Sequence, residues 1–394
     1  MASLIAWKNK SERMPLILYG ARQVGKTWLI KEFGAKHFSD NLCINFDIDT
    51  ALAKDFEADL QPERLINLLE AYAGRTIVAD TTLIVFDEIQ ACPRALTSLK
   101  YFRENAPEYR IIAAGSALGV SIKNRSSSFP AGNVELLTLN PLDFEEFLEA
   151  LGEDILVTAI REGFDTNRPL PEALHGKALD LYRIYLVVGG MPAAINAYLR
   201  EKKVMDSSLV QQAILSAYTA DMTKYALPAE TSKVIACYDS IPAQLAKENR
   251  KFQYKVVKKG GSATLFGASI DWLSASSLVE KCERIEGAFI PLSAYRDLSA
   301  FKLYMNDGTS DQQIGNPHVD DALGACRIHL FRRHGGKLCR PDPQGERLSS
   351  LLLGVGKPGR SGFYTAKRGG FDPHRSKIRR TRKVPKPFGV PGAV

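Results

Sequence analysis

The stretch PLILYGARQVGKTWLIKEFG, Pro15 to Gly34, decides the fold. Its first third is a short apolar run, the composition of a buried strand, and its last third places apolar side chains at helical spacing. Between them Gly20-Ala21-Arg22-Gln23-Val24-Gly25-Lys26-Thr27, followed by Trp28, fits G-x-x-x-x-G-K-[ST]. Glycines in such a loop let backbone N–H groups wrap around phosphates without a Cβ in the way. Loop amides from Gly20 to Trp28 and the helix start attract the anion, Lys26 reaches the β- and γ-phosphates, and the Thr27 hydroxyl suits Mg²⁺. A strand before the loop and a helix after it are the setting this chemistry needs, which makes ATP with Mg²⁺ the expected ligand.

About 60 residues on, LIVFDEIQ puts Asp87 and Glu88 at the C-terminal end of a second buried strand, where open α/β sheets bind ligands. Paired with the loop, Asp87 is expected to hold the metal's shell and Glu88 to orient and deprotonate the attacking water. The competing structural reading is a helix N-cap. Ser116, in AAGSA, ends another strand and reads equally as a γ-phosphate contact or a turn serine. Asn45 and Asp47 are weaker candidates, and Arg22 reads as a solvent-facing loop residue.

Outward from the loop, five runs read as strands: LILYG (Leu16 to Gly20), CINFDI (Cys43 to Ile48), LIVFD (Leu83 to Asp87), RIIAAGS (Arg110 to Ser116) and VELLTL (Val134 to Leu139). TWLIKEFGAKHF, LINLLEAYA and PRALTSLKYFREN between them have helical periodicity, so residues 1–150 predict an α/β domain, a parallel sheet covered by helices on both faces. Residues 151–227 read as a helical connector or lid. Residues 228–307 read as a third unit, with helices around SKVIACYDSIPAQLAKE and QYKVVKKG, then WLSASSLVEKCERI before a strand-like AFIPL.

The net charge of +8 invites a nucleic-acid reading, but its distribution weakens it. Residues 308–394 hold 17 of the 52 Lys and Arg and 6 of the 44 Asp and Glu, leaving 35 basic against 38 acidic residues before them. The same tail holds 22 of the 50 Gly and Pro, which marks a boundary near Asp307. Six scattered cysteines with no CxxC pair fit neither a zinc site nor a disulfide framework. No apolar run is long enough for a secretion signal or a membrane span, so the chain reads as cytoplasmic and away from the membrane.

The phrases PLILYGARQVGKTWLIKEFG, FDEIQACPRALTSLKYF, AAGSALGV, SSSFPAGNVELLTLNPLDFEEFL, VVGGMPAAINAY, IPAQLAKENRKFQYKVV and FKLYMND resemble a family of prokaryotic AAA-domain ATPases joined to a winged helix and a nuclease-like C-terminal domain of unknown function. The resemblance covers about residues 4–307. It implies an AAA-like core with ATP and Mg²⁺ held by Gly25, Lys26, Thr27 and Asp87, Glu88 in the hydrolytic role, and a winged helix over 228–307. Asn133 departs from it, since a basic residue is expected after Gly132. Within 247–259 the cluster Lys247, Arg250, Lys251, Lys255, Lys258 and Lys259 reads either as a DNA backbone contact or as the solvated face of a spacer. A homo-oligomer supplying an arginine finger is a further expectation, with Arg94, Arg103 and Arg125 as candidates.

No nuclease-like domain is legible after Asp307. Gly362 to Lys377 (GFYTAKRGGFDPHRSK) can, however, be encoded so that reading one base later gives DFILQSEEGLIPIEVK, with Asp and Glu-x-Lys at a metal-dependent nuclease spacing. Residues 308–394 are therefore expected to be an out-of-frame, disordered tail, without nuclease activity. Two function classes share the named residues: an ATP-hydrolysing enzyme, and a slow nucleotide-dependent switch that binds DNA or a protein partner.

Overall fold

The computed structural model describes residues 1–116, 118–123, 129–247, 250–286, 292–306 and 352–353. The elements of the first unit are α1 (Ala2–Lys8), β1 (Leu16–Tyr19), α2 (Lys26–His37), β2 (Asp40–Asn45), α3 (Thr50–Ala58), α4 (Pro62–Ala73), β3 (Thr82–Asp87), α5 (Pro93–Asn105), β4 (Arg110–Gly115), α6 (Leu118–Lys123) and β5 (Glu135–Thr138). The strands form one sheet in the order β2-β3-β4-β1-β5, and every neighbouring pair is parallel. All five therefore end at the same edge. Gly20, Asp87 and Ser116, at or just past the ends of β1, β3 and β4, are gathered there although the chain separates them widely.

Alternate side chains of each central strand serve opposite faces, as the two-residue period of a strand dictates. Ile17, Ile84, Phe86, Ile111 and Ala113 pack under α3, α4 and α5 with Phe56, Leu65, Leu69 and Leu99. Leu16, Leu18, Leu83, Val85, Ile112 and Ala114 pack with Leu4, Trp7, Ile30 and Phe33 of α1 and α2. Helices on both faces of a parallel sheet are the expected architecture. α4 and α5 each start at a proline, whose missing N–H costs nothing there, and α4 ends at Gly74 with φ 65°.

A helical set follows: α7 (Phe144–Ala150), α8 (Asp154–Thr166), α9 (Glu172–Val188), α10 (Pro192–Glu201) and α11 (Val204–Tyr225). A capping box starts α7, where Asp143 Oδ1 accepts from Glu146 N at 2.9 Å and Glu146 Oε2 from Asp143 N at 3.0 Å. Then come α12 (Pro228–Leu245), α13 (Tyr254–Val257), α14 (Ala263–Ala275) and the antiparallel pair β6 (Val279–Ile285) and β7 (Arg296–Met305). The short β8 (Leu352–Leu353) runs parallel to β6.

The two halves share a core. Ala21 and Val24 of the loop after β1 pack with Met191 and Ala194 of α10, Ile214, Tyr218 and Met222 of α11, and apolar side chains of α12, α14, β6 and β7.

Several boundaries differ from the sequence reading. The second strand is Asp40–Asn45, three residues earlier than expected, because Asn45 Oδ1 accepts from the amides of Asp47 (3.0 Å) and Ile48 (3.3 Å) and turns the chain. QYKVVKKG, expected as a second helix of this unit, yields only the one-turn α13. WLSASSLVEKCERI splits into the end of α14 and β6, with Ser277 at φ 58° in the turn between. α8 runs through Gly163 as far as Thr166. Most of AFIPL and, apart from β8, residues 308–394 lie outside the described residues.

Phe56 meets Phe46 and Phe86 edge-on at ring-centroid distances of 5.3 and 5.8 Å and is fully buried. Phe56→Ala is expected to lower stability by about 3–5 kcal/mol, read as a downward shift of the urea midpoint; a midpoint within error of wild type contradicts this packing.

Candidate active site

The loop after β1 is shaped by two close approaches. A Cβ on Gly20 would sit 2.1 Å from the carbonyl oxygen of Leu139, so no other residue fits against the end of β5. Gly25 has φ 94° and Gln23 φ 65°, the left-handed turns that fold the loop back on itself. Gly25 precedes α2 with no side-chain cap, so the first amides of a 12-residue helix remain directed at the loop. Ala21 and Val24 point into the core, Gln23 is exposed, and Trp28 stands 68% exposed on the first turn of α2.

Lys26 is only 8% exposed, and its Nζ donates to the carbonyls of Gly20 (3.0 Å) and Ala21 (2.8 Å). Burial pushes its ammonium down to about 8; the carboxylates of Glu88, Asp87 and Asp221 act against this, and Arg22 reinforces it. Thr27 Oγ1 donates to Asp87 Oδ2 at 3.0 Å, across 60 residues of sequence. Asp87 is 5% exposed, and its other oxygen accepts from the amide of Glu88 at 3.1 Å. A hydroxyl and a carboxylate facing each other this closely are hard oxygen donors of the kind Mg²⁺ takes. Among the described residues no three His, Cys, Asp or Glu side chains converge. A metal here would draw its remaining ligands from phosphate and water, as Mg²⁺ commonly does.

Glu88 stands just before a single 3-10 turn, Ile89–Ala91, with φ 48°, and its side chain makes no cap hydrogen bond. Its carboxylate instead accepts from Gln90 Nε2. Ser116, just past the end of β4, lines a small cleft together with Arg22, Asp221, Tyr225, Trp272 and Ser276. Arg22, expected to face solvent alone, is paired: its Nη1 lies 2.5 Å from Asp221 Oδ1 of α11. Tyr218 Oη, also on α11, donates to the Arg22 carbonyl at 3.4 Å.

The structure thus brings Gly20 to Thr27, Asp87, Glu88 and Ser116 to one sheet edge. Asn45 is spent on its turn, and Asp47 lies 3.7 Å from Lys224 of α11. Lys247, Arg250, Lys251, Lys255, Lys258 and Lys259 lie on and around α13, whereas α14 carries no Lys or Arg. Arg94 reaches the Glu57 carbonyl at 3.4 Å, Arg103 is half-buried, and Arg125 lies outside the described residues. Sequence reasoning missed Gln90 and Asp221. The first stood in plain view in DEIQ; the second has no local signal, because 199 residues separate it from Arg22.

Residues 12–148 match an AAA domain family, and residues 179–308 match a domain of unknown function (DUF8612). No curated protein matches the chain. Among solved structures, a Walker-type ATPase of Pyrococcus abyssi is similar at 15% identity and TM-score 0.46, covering 79% of this chain and 92% of its own. The ORC2 protein of Aeropyrum pernix is similar at 13% identity and TM-score 0.39, covering 83% and 91%. The ORC1 protein of the same organism, solved in complex with DNA, gives 15%, 0.28, 84% and 91%. The family match, the parallel five-stranded sheet and the loop geometry agree on an α/β P-loop fold of the AAA type for residues 12–148.

Proposed function

We propose that the chain binds ATP with Mg²⁺ and hydrolyses it. The observation that carries this is the approach of Thr27 Oγ1 to Asp87 Oδ2 at 3.0 Å, beside a buried lysine and a carboxylate that caps nothing. Lys26 and the first amides of α2 bind the phosphates, with Gly20 and Gly25 admitting the backbone. Thr27 and Asp87 hold the metal, which when bound neutralises charge on the β- and γ-phosphates. Glu88 orients the attacking water and takes its proton. Ser116 contacts the γ-phosphate from the end of β4.

Lys26→Ala is expected to weaken ATP binding by roughly 10- to 100-fold, the loss of a hydrogen-bonded charge. Glu88→Gln keeps binding and lowers turnover by about 10²–10⁴-fold. Nucleotide titration and phosphate release separate the two; wild-type turnover in Glu88→Gln would falsify the role of Glu88.

The depressed Lys26 value sets a pH dependence. The protonated amine binds phosphate, so nucleotide raises its pKa above the free value of about 8. Affinity should therefore be level below pH 8 and fall as pH rises through it. Above pH 8, binding should take up as much as about one proton. Titration calorimetry in two buffers of different ionisation enthalpy measures that uptake, and affinity rising from pH 8 to 9 contradicts it.

A second reading, a nucleotide-dependent switch, is favoured by the shared core and the Arg22–Asp221 pair, which tie the phosphate loop to the C-terminal unit. α12, α13, α14 and the β6–β7 hairpin follow the order of a winged helix, and the lysines around α13 suit a DNA backbone. On this reading duplex DNA changes the ATP turnover rate, reversal of Lys251, Lys255, Lys258 and Lys259 abolishes the response, and Asp221→Ala uncouples it while DNA binding persists. A rate indifferent to DNA at low salt sinks the DNA arm.

A further inference from the structure

We propose that Gln90 is a positioning residue for Glu88: its amide nitrogen holds the Glu88 carboxylate in the orientation that meets the attacking water. The proposal rests on the reading of Glu88 as the general base, and it goes beyond that reading by naming the group that aims it.

Three observations place Gln90 in this role. The first is the bond itself, from Gln90 Nε2 to Glu88 Oε2. An ionised carboxylate accepts only, so the nitrogen end of the amide has to face it, and the carbonyl end has to face away. That carbonyl oxygen, Oε1, is buried and has no donor among the described residues. A buried unsatisfied acceptor is destabilising, a penalty that a leucine at this position would not incur. Packing alone gives no reason for an amide here.

The second observation is the space kept for it. A Cβ on Gly115, the last residue of β4, would fall 2.1 Å from Gln90 Oε1. Gly115 is not among the glycines with positive φ, so the backbone there does not require glycine. A side chain there would have to displace the Gln90 amide from its present place and crowd the tip of Leu118.

The third is the rigidity of the support. Ile89 is fully buried against the sheet, and the 3-10 turn around it is closed by Ala91 N to Glu88 O at 2.9 Å and Cys92 N to Ile89 O at 3.0 Å. Glu88 stands at φ 48°, a conformation a non-glycine residue adopts only where its surroundings impose it. Asp87 Oδ1 fixes its amide. Backbone, amide and side chain of Glu88 are thus each held by a different neighbour, and Gln90 holds the one that does the chemistry. A carboxylate on three free torsions would sample several rotamers, and the bond from Gln90 selects among them.

The test uses the full-length chain, with a fluorescent ATP analogue for affinity and phosphate release for turnover. Gln90→Leu keeps the volume and loses the donor; Gln90→Glu keeps the shape and sets a carboxylate against Glu88. Both are expected to leave KM and analogue affinity within about twofold. Both should lower kcat by roughly 10- to 100-fold, the worth of a hydrogen bond to a charged group. In a Glu88→Ala background, Gln90→Leu should change the residual rate by less than about twofold, because the group it aims is gone.

Wild-type kcat in Gln90→Glu overturns the proposal even if Gln90→Leu folds poorly. So does a full further loss from Gln90→Leu on top of Glu88→Ala, which is the mark of a merely structural role. Failure of the underlying reading looks different: Glu88→Ala then turns over at the wild-type rate, and the positioning role falls with it.

Discussion

Burying the ammonium of Lys26 is the constraint around which the nucleotide-binding half is built. An isolated charge taken from water into a protein is costly unless polar groups surround it, and the downward shift of Lys26 measures the part of that cost left uncompensated. The compensation comes from the loop's own carbonyls at Gly20 and Ala21 and from the carboxylates of Asp87 and Glu88. For those carbonyls to face inward the loop has to curl through left-handed conformations at Gln23 and Gly25. For the carboxylates to arrive, β3 has to end beside β1 at the same edge, which an all-parallel order with β4 between them accomplishes.

The curl has a second consequence. Turning its amides toward the phosphate side leaves the methyl of Ala21 and the isopropyl of Val24 on the outer side of the loop, where they need cover. The C-terminal unit supplies it through Met191, Ala194 and the α11 side chains Ile214, Tyr218 and Met222. The phosphate loop is therefore a wall of two structures at once, and the Arg22–Asp221 pair adds a charged tie across the same seam. A half-exposed ion pair contributes little to stability, and a phosphate placed near Arg22 would compete with Asp221 for the guanidinium.

The five strands, three of the helices covering them (α2, α4 and α5) and the residues of the loop were legible in the sequence because each is decided locally, whereas α1 and α3 were missed. A buried parallel strand is a short branched apolar run, and a phosphate loop announces itself by glycines and a lysine at fixed offsets. α5 was read to the residue because Pro93 starts it and its periodicity runs unbroken. Legibility failed where a side chain, rather than a pattern, ends an element, as Asn45 does for β2. It failed too where a turn without Gly or Pro separates two apolar runs, as Ser276 and Ser277 do between α14 and β6. The Arg22–Asp221 pair was beyond reach for a different reason: neither residue's neighbours in sequence carry any sign of the other.

Asp-Glu after a strand admits an ordinary explanation, the capping of the next helix, and the geometry weighs against it. Glu88 occupies the cap position of the 3-10 turn without bonding to it, and the cap position of α5 belongs to Cys92. Around this unused carboxylate gather a left-handed non-glycine backbone, a buried amide oxygen without a donor, and a glycine kept small with no backbone need for it. Each lowers stability, although two of them recur at the opposite, N-terminal edge of the sheet, where Asp80 stands at φ 67° and the Arg13 and Arg110 Nε atoms are buried without a partner among the described residues. What sets the residues joining β3 to α5 apart is that these features stand beside the close approach of Thr27 Oγ1 to Asp87 Oδ2, the geometry on which the proposed role of Glu88 rests.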